Sequence, residues 1–393
     1  MADIEHFSLA NLPYGIASDR THTKTVVTRL EDNVFFLCDL ELHWYPDMWD
    51  AISQPTLNAL AARTKPELQS LRTSLQHLLS DLNIVAEHGI HIDSVSLYLP
   101  IEVRGFTDYF CSKEHGENVS LAIFGEPLVP LFFPPFPMGH SGRPSSIVLS
   151  GTEIRRPCGV YDTGGKIEYG ACKELDYKLE MACIIGKPSK LGEPVKLEDA
   201  DDHIFGVVLL NDWCAWDIGV LEGMAFGLVN ATSFATTISP WIVTLNALKH
   251  FEAPPQHRDE PVPAYLQDVK KKPNYNITLE ASIISRDHTT KICKSNTSAL
   301  SWSFRDLVAQ QTVNGCKIDT GDLLATGTVS GTGENAHGCL LEMTEVGKVK
   351  VELSDGQKRT YLQDGDTLRM TGYAGPGVGF GNCTGLIIPA RGL

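Results

Sequence analysis

After about residue 95 the chain breaks into short β-branched runs separated by proline and glycine. No other feature constrains its fold as much. The runs are SIVLSGTEI (146–154), HIFGVVLLND (203–212), NITLEASII (276–284) and CLLEMTEVGKVKVEL (339–353). Branched side chains suit a pleated surface, and Pro and Gly end strands. The texture predicts a large β-rich domain with few helices, of which SALSWSFRDLVAQQTV (298–313) is the best candidate. The proline-rich stretch 252–275 reads as a long excursion, not a regular element.

The first 95 residues have another character. Residues 22–40 read as two short strands around a turn at Glu31-Asp32-Asn33. Residues 55–84 have helical spacing divided by Pro66. Leu57 and Leu60 belong to a short helix; Leu68, Leu71, Leu75, Leu78 and Leu79 form the stripe of a second one, which Pro66 opens. Two units follow, 1–95 and 96–393.

The chain has 393 residues and a formal net charge of −15. That balance argues against a nucleic-acid or anionic-membrane partner, either of which wants a basic face. The basic run Lys270-Lys271-Lys272 reads as a solvated loop. The opening MADIEHFSLANLPYG has no apolar core of a secretion signal, and no run approaches the ~20 apolar residues of a spanning helix. The ten cysteines form no CxxC pair. A cytoplasmic protein with reduced thiols is expected, and Cys214 is read as a buried structural thiol.

The chemistry centres on YKLEM (177–181). Positions two apart on an extended strand face one side, so Lys178 and Glu180 point into one space. Asp108 in FTDYF and Asp212 in LLNDWCAWD are expected to share it. Three carboxylates invite a hard cation such as Mg²⁺ or Ca²⁺. An ammonium in the same pocket competes with it.

These motifs carry a resemblance. LANLPYGIAS (9–18), FTDYF with His115 downstream, SGRPSSIVLSGTEIRRP (141–157), YGACKELDYKLEMA (169–182), NGCKIDTGDLLATGTVSG (314–331) and GVGFGNCTG (377–385) stand in order along nearly the whole chain. The chain resembles the fumarylacetoacetate hydrolase family. The resemblance implies a mostly β (α+β) fold: a small SH3-like N-terminal barrel and a large mixed β-roll domain. It also implies a homodimer and a small-molecule substrate. The family reaction is hydrolytic cleavage of a carbon–carbon bond in a β-diketone, assisted by a divalent cation.

Carried over by position, His115 corresponds to the general base and Glu342 to the carboxylate that orients it. Asp108, Glu180 and Asp212 match metal ligands, and Thr328 a hydroxyl that contacts substrate. The departures gather at the same site. Lys178 stands where the family has a fourth carboxylate. Phe110, Phe124 and Trp216 stand where it has a tyrosine and two arginines, Thr232 where it has a lysine, and His140-Ser141 where it has Tyr-His. Phe110, Phe124, His140, Trp216 and Thr328 are thus the expected substrate-binding set. The exchange of cationic clamps for aromatic faces implies a larger, less charged, polyketide-like substrate.

Two outcomes are open for Lys178. It points inward and replaces the cation, giving a catalytic set of His115, Glu342 and Lys178 with no metal. Alternatively it swings out on its long stem, and three carboxylates hold a weakly bound Mg²⁺ or Ca²⁺. The reaction is open in parallel: hydrolysis of a β-diketone in secondary metabolism; a metal-independent lyase, isomerase or cyclase; or a non-catalytic small-molecule-binding homologue.

Overall fold

The computed structural model describes residues 6–40, 46–128, 133, 135–223, 227–256 and 261–392. An N-terminal half-barrel is an antiparallel five-stranded sheet in the order Ile90–His91, Asn33–Phe36, Thr25–Leu30, Tyr14–Ser18, Ser96–Tyr98. Alternation along its strands sends Ile16, Val26 and Phe35 to one face and Ala17, Val27, Val34 and Phe36 to the other. The first face packs on Leu57, Leu60, Leu68, Leu71 and Leu75, the apolar stripe of two helices. Pro66 opens the second of these, Lys65–Leu78, behind a Thr64–Glu67 capping box.

A large mixed sheet follows. From one edge its strands are Met138–Ser141, Phe106–Phe110, Leu323–Ala325, Leu179–Ile185, Ile204–Asp212, Thr236–Ile238 and Ile147–Leu149, and Val243–Thr244 also pairs with Ile204–Asp212. One face, through Leu179, Met181, Cys183, Val207 and Leu209, packs on Leu279, Ala281, Leu368 and Met370 of a second five-stranded sheet. The other face, through Phe106, Ala182, Ile184, Val208, Leu210, Leu323 and Ala325, shares a cluster with the N-terminal helices.

That alternation positions the site. Asp108 has the parity of Phe106, Glu180 that of Ala182 and Ile184, and Asp212 that of Val208 and Leu210. The register sets Asp108 beside Ala325, Ala325 beside Ala182, and Glu180 beside Leu210. Three acids on three strands, one of them far from the other two in sequence, therefore emerge on one face of one sheet.

The backbone is tightest at Gly327, whose φ is +71° and where an added Cβ would lie 2.1 Å from the carbonyl oxygen of Tyr109. Only glycine meets both demands. Gly327→Ala must push apart the segments that carry Asp108 and Thr328. A loss of about 1–3 kcal/mol is expected, read as a lower melting temperature.

Two sequence expectations are corrected. The run 339–353 is not a strand throughout: Leu340–Met343 is a short helix, and only Val351–Glu352 is extended. Asp176 holds the N–H groups of Leu340 and Leu341, which satisfies a helix start that the run itself does not advertise. The basic run lies on a loop with Lys271 and Lys272 exposed, as expected, but Lys270 pairs with Asp201 and Glu252 at 3.2 and 2.9 Å. The helix expected over 298–313 occupies Phe304–Thr312, started by a Ser303–Asp306 capping box. Within the 252–275 excursion, residues 257–260 lie outside the described residues, as do residues 1–5 of the opening stretch. Among the described residues no helix is long and apolar enough to cross a membrane.

Candidate active site

Lys178 lies one residue before the strand Leu179–Ile185, its backbone N–H donated to Asn211 Oδ1 at 3.0 Å. The chain is still extended enough there to keep Lys178 on the side of Glu180. Its Nζ stands 2.6 Å from Asp108 Oδ2, 2.6 Å from Asp212 Oδ2 and 3.5 Å from Glu180 Oε1. The lysine side chain is 15% exposed and the three acids at most 3%. Lys178 therefore points inward. His140, on the neighbouring edge strand, places Nε2 3.3 Å from Asp108 Oδ2, and Thr236 donates to Asp212 Oδ1 at 2.6 Å.

The charges respond to this crowding. Burial pushes Lys178 down, but Asp108, Asp212 and Glu180 outweigh it and hold the ammonium well above its ordinary value. Burial pushes Asp108 up, yet Lys178 and His140 bring its carboxyl well below the carboxylate range. Glu180 moves the other way: burial and the charge of Asp108 raise it well above its ordinary value, against the pull of Lys178. Neither Glu180 oxygen has a hydrogen-bond partner among the described residues.

A second cluster starts where the Asp108 strand ends. Ser112 caps the helix Lys113–Phe124, accepting from His115 N at 3.2 Å and donating to Ser330 O at 3.2 Å. His115 Nδ1 meets Glu342 Oε1 at 2.6 Å. Ser330 Oγ donates to the same Glu342 oxygen at 2.6 Å, and Asn118 Nδ2 donates to Oε2 at 2.8 Å. Burial pushes Glu342 up, but His115, Ser330 and Asn118 outweigh it and hold the carboxyl below its ordinary value. Glu342 is thus an acceptor placed for the Nδ1–H tautomer of His115.

The Glu342 shift fixes the sign of a pH effect. With a folded value below the unfolded one, Glu342 contributes stability above the ordinary glutamate range, and that contribution is lost as pH falls through the lowered value. Urea unfolding of the native chain is expected to weaken on acidification below about pH 4, with a shallower acid limb for Glu342→Gln.

Two family models match the chain: "Fumarylacetoacetase N-terminal" over residues 10–100 and "Fumarylacetoacetate (FAA) hydrolase C-terminal" over 105–386. The chain is 38% identical to fumarylacetoacetase of Arabidopsis thaliana over 408 residues, 98% of this chain and 96% of the relative. It belongs to the fumarylacetoacetase family. It is also 36% identical to the Bos taurus fumarylacetoacetase over 411 residues, 99% of this chain and 98% of the relative. The solved fumarylacetoacetate hydrolase of Exiguobacterium antarcticum shares the fold, with a TM-score of 0.54 at 16% identity over 97% of this chain and 100% of that one.

Members of the fumarylacetoacetase family typically bind a divalent metal. Among the described residues near the site, two groups bring ligand-type atoms within 4.8 Å of one another: Asp108, His140 and Asp212, and His115, Cys339 and Glu342. In the first, Asp108 Oδ2 accepts a hydrogen bond from Lys178 Nζ, and Asp212 Oδ2 forms an ion pair with the same ammonium at 2.6 Å.

The remaining expected residues divide. Phe110 lies beside His115 in a tilted contact, ring centroids 5.0 Å apart, and Thr328 Oγ1 is buried without a partner among the described residues. Trp216 packs with Val119, Leu341 and Tyr361, against the elements that bear His115 and Glu342. Phe124 sits at the far end of the His115 helix, 56% exposed. Thr232 is buried, and burial pushes the Cys214 thiol up to about 12, as an inert thiol requires. The sequence reading missed Asn118, Ser330, Thr236 and Asp176. Asn118, three residues after His115 on one helix, offered a signal through helical spacing. The others meet the site only through the fold.

Proposed function

We propose that this chain is an enzyme acting on an enolisable 1,3-dicarbonyl or polyketide-like small molecule, with His115 as general base. The observation that supports it is the 2.6 Å bond from His115 Nδ1 to a Glu342 that three side chains hold ionised and in place. A histidine so held takes a proton through Nε2. In the default reaction His115 takes a proton from water, the hydroxide attacks a carbonyl carbon, and the carbon–carbon bond breaks. One product is a carboxylic acid; the other is an enolate that takes back the proton.

Lys178 takes the place of the cation in this reading. With Nζ 2.6 Å from both Asp108 and Asp212, the residues present do not fit a divalent ion. Asp108, Glu180 and Asp212 become ligands only if Lys178 leaves. An ammonium has three protons; one is donated to Asp108, and one not taken up by the surrounding carboxylates can meet an enolate oxygen. Exchange of a two-plus Lewis acid for a single ammonium also favours a second reading, a metal-independent lyase, isomerase or cyclase of secondary metabolism, because proton transfer needs less charge stabilisation than cleavage does. Phe110, Phe124, His140, Trp216 and Thr328 make up the proposed substrate face. The chain works as a cytoplasmic homodimer, as the family resemblance suggests.

The test is a panel of 1,3-diketones of rising apolar size, with and without a chelator, followed by loss of the enol absorbance and by product mass. Two fragments whose masses sum to substrate plus water mean hydrolysis, two that sum to the substrate alone mean a lyase, and a single product of unchanged mass means isomerisation or cyclisation. Binding with no turnover of any member would leave only the non-catalytic homologue.

A further inference from the structure

Asp176 is a buried carboxylate that the proposed chemistry leaves unused. It ends the two-residue strand Leu175–Asp176, two positions before Lys178. Its Oδ1 accepts from Leu340 N at 2.9 Å and Tyr177 N at 2.7 Å, and its Oδ2 accepts from Leu341 N at 2.7 Å. The first N–H groups of a helix have no acceptor within it. The residue before this helix, Cys339, supplies no side-chain cap. Asp176 fills that role from a strand 164 residues away in sequence.

The helix so capped is Leu340–Met343, and Glu342 directly follows the second N–H that Asp176 holds. Four residues form too few internal bonds to keep a helix alone. At its other end Thr344 Oγ1 donates to Leu340 O at 2.8 Å. Between these anchors the backbone of Glu342 is fixed, and with it the approach of Oε1 to His115. Glu342, Tyr177, Cys214, Cys339 and Tyr361 are the titratable groups that interact with Asp176 across the packed elements.

We infer that Asp176 is a positioning residue, its carboxylate holding the Leu340–Met343 turn so that Glu342 meets His115 Nδ1 at bonding distance. Its functional meaning rests on the reading of His115 as base; its geometry does not. Asp176→Asn keeps the shape but turns an N–H₂ donor toward a backbone donor, so one of the two helix bonds is lost.

The test is proton NMR of the full chain labelled at histidine. A bond as short as 2.6 Å is expected to shift the His115 Nδ1–H resonance far downfield, assigned by its absence from His115→Ala. In Asp176→Asn that resonance is expected to vanish or move upfield. In Asp366→Asn, which disturbs another buried carboxylate paired with Arg359 at 2.9 Å, it is expected to stay in place. An unmoved resonance in a folded Asp176→Asn overturns the inference. If that variant does not fold, amide exchange of the native chain decides. The Leu340 and Leu341 N–H groups are expected to exchange as slowly as those of Leu179–Ile185, and fast exchange overturns the inference. Absence of turnover on diketones would leave both readouts unchanged, so the two proposals fail separately.

Discussion

His115→Ala is expected to lower turnover of a 1,3-diketone by about 10²–10⁴-fold, the usual worth of a positioned acid–base group. The protein should remain folded. The His115 side chain is 12% exposed, and Glu342 keeps Ser330 and Asn118 as partners when the imidazole goes. The effect falls on kcat more than on KM, because a proton acceptor acts in the transition state and contributes little to ground-state binding. Steady-state kinetics with the best member of the diketone panel checks this, with circular dichroism to confirm folding. Turnover within a few-fold of native would remove His115 from the chemistry and leave Lys178 and its carboxylates as the only candidates.

The second large effect is on stability. Lys178→Met is expected to cost about 3–5 kcal/mol, because it strips the partner from two buried carboxylates. The loss depends on pH in a defined direction. Lys178 is raised above its ordinary value, so its contribution is full below that value and fades only as pH rises through the raised one. Asp108 is lowered, so its contribution is full above the ordinary aspartate value and lost as pH falls through the lowered one. The pair therefore stabilises fully between roughly pH 4 and pH 10. Urea unfolding of native and variant chains is expected to show the largest gap near neutral pH. The gap should shrink toward acid, where the abandoned carboxylates take up protons. A variant as stable as the native chain across that window would mean that the ammonium contributes nothing to holding the cluster.

How far the site was legible depends on how local each contact is. That Lys178 and Glu180 share a space follows from two-residue alternation, and the structure keeps it although the regular strand begins one residue later. That Asp108 and Asp212 join them follows from strand order, because the Leu323–Ala325 strand intervenes between Phe106–Phe110 and Leu179–Ile185. No local pattern encodes that order; the family resemblance supplied it. The same holds for His115 and Glu342, which are 227 residues apart in sequence. The misread run 339–353 has a physical cause. Its branched residues suit a strand, but its first turn is helical because a distant carboxylate caps it. Lys270 was misread for a like reason, since its partners Asp201 and Glu252 lie outside its own run. The N-terminal helices, set by Pro66 and a leucine stripe, were legible because every determinant lies within a few turns.

The measurement that tests the central claim most directly is Mn²⁺ and Mg²⁺ binding to the native chain beside Lys178→Glu, by elemental analysis and titration calorimetry. If the Lys178 ammonium occupies the cation position, the native chain holds no stoichiometric divalent ion, and the variant, with four acids around one space, binds one per chain. A native chain that carries one equivalent held by Asp108 and Glu180 would contradict the account and return the site to metal-assisted hydrolysis.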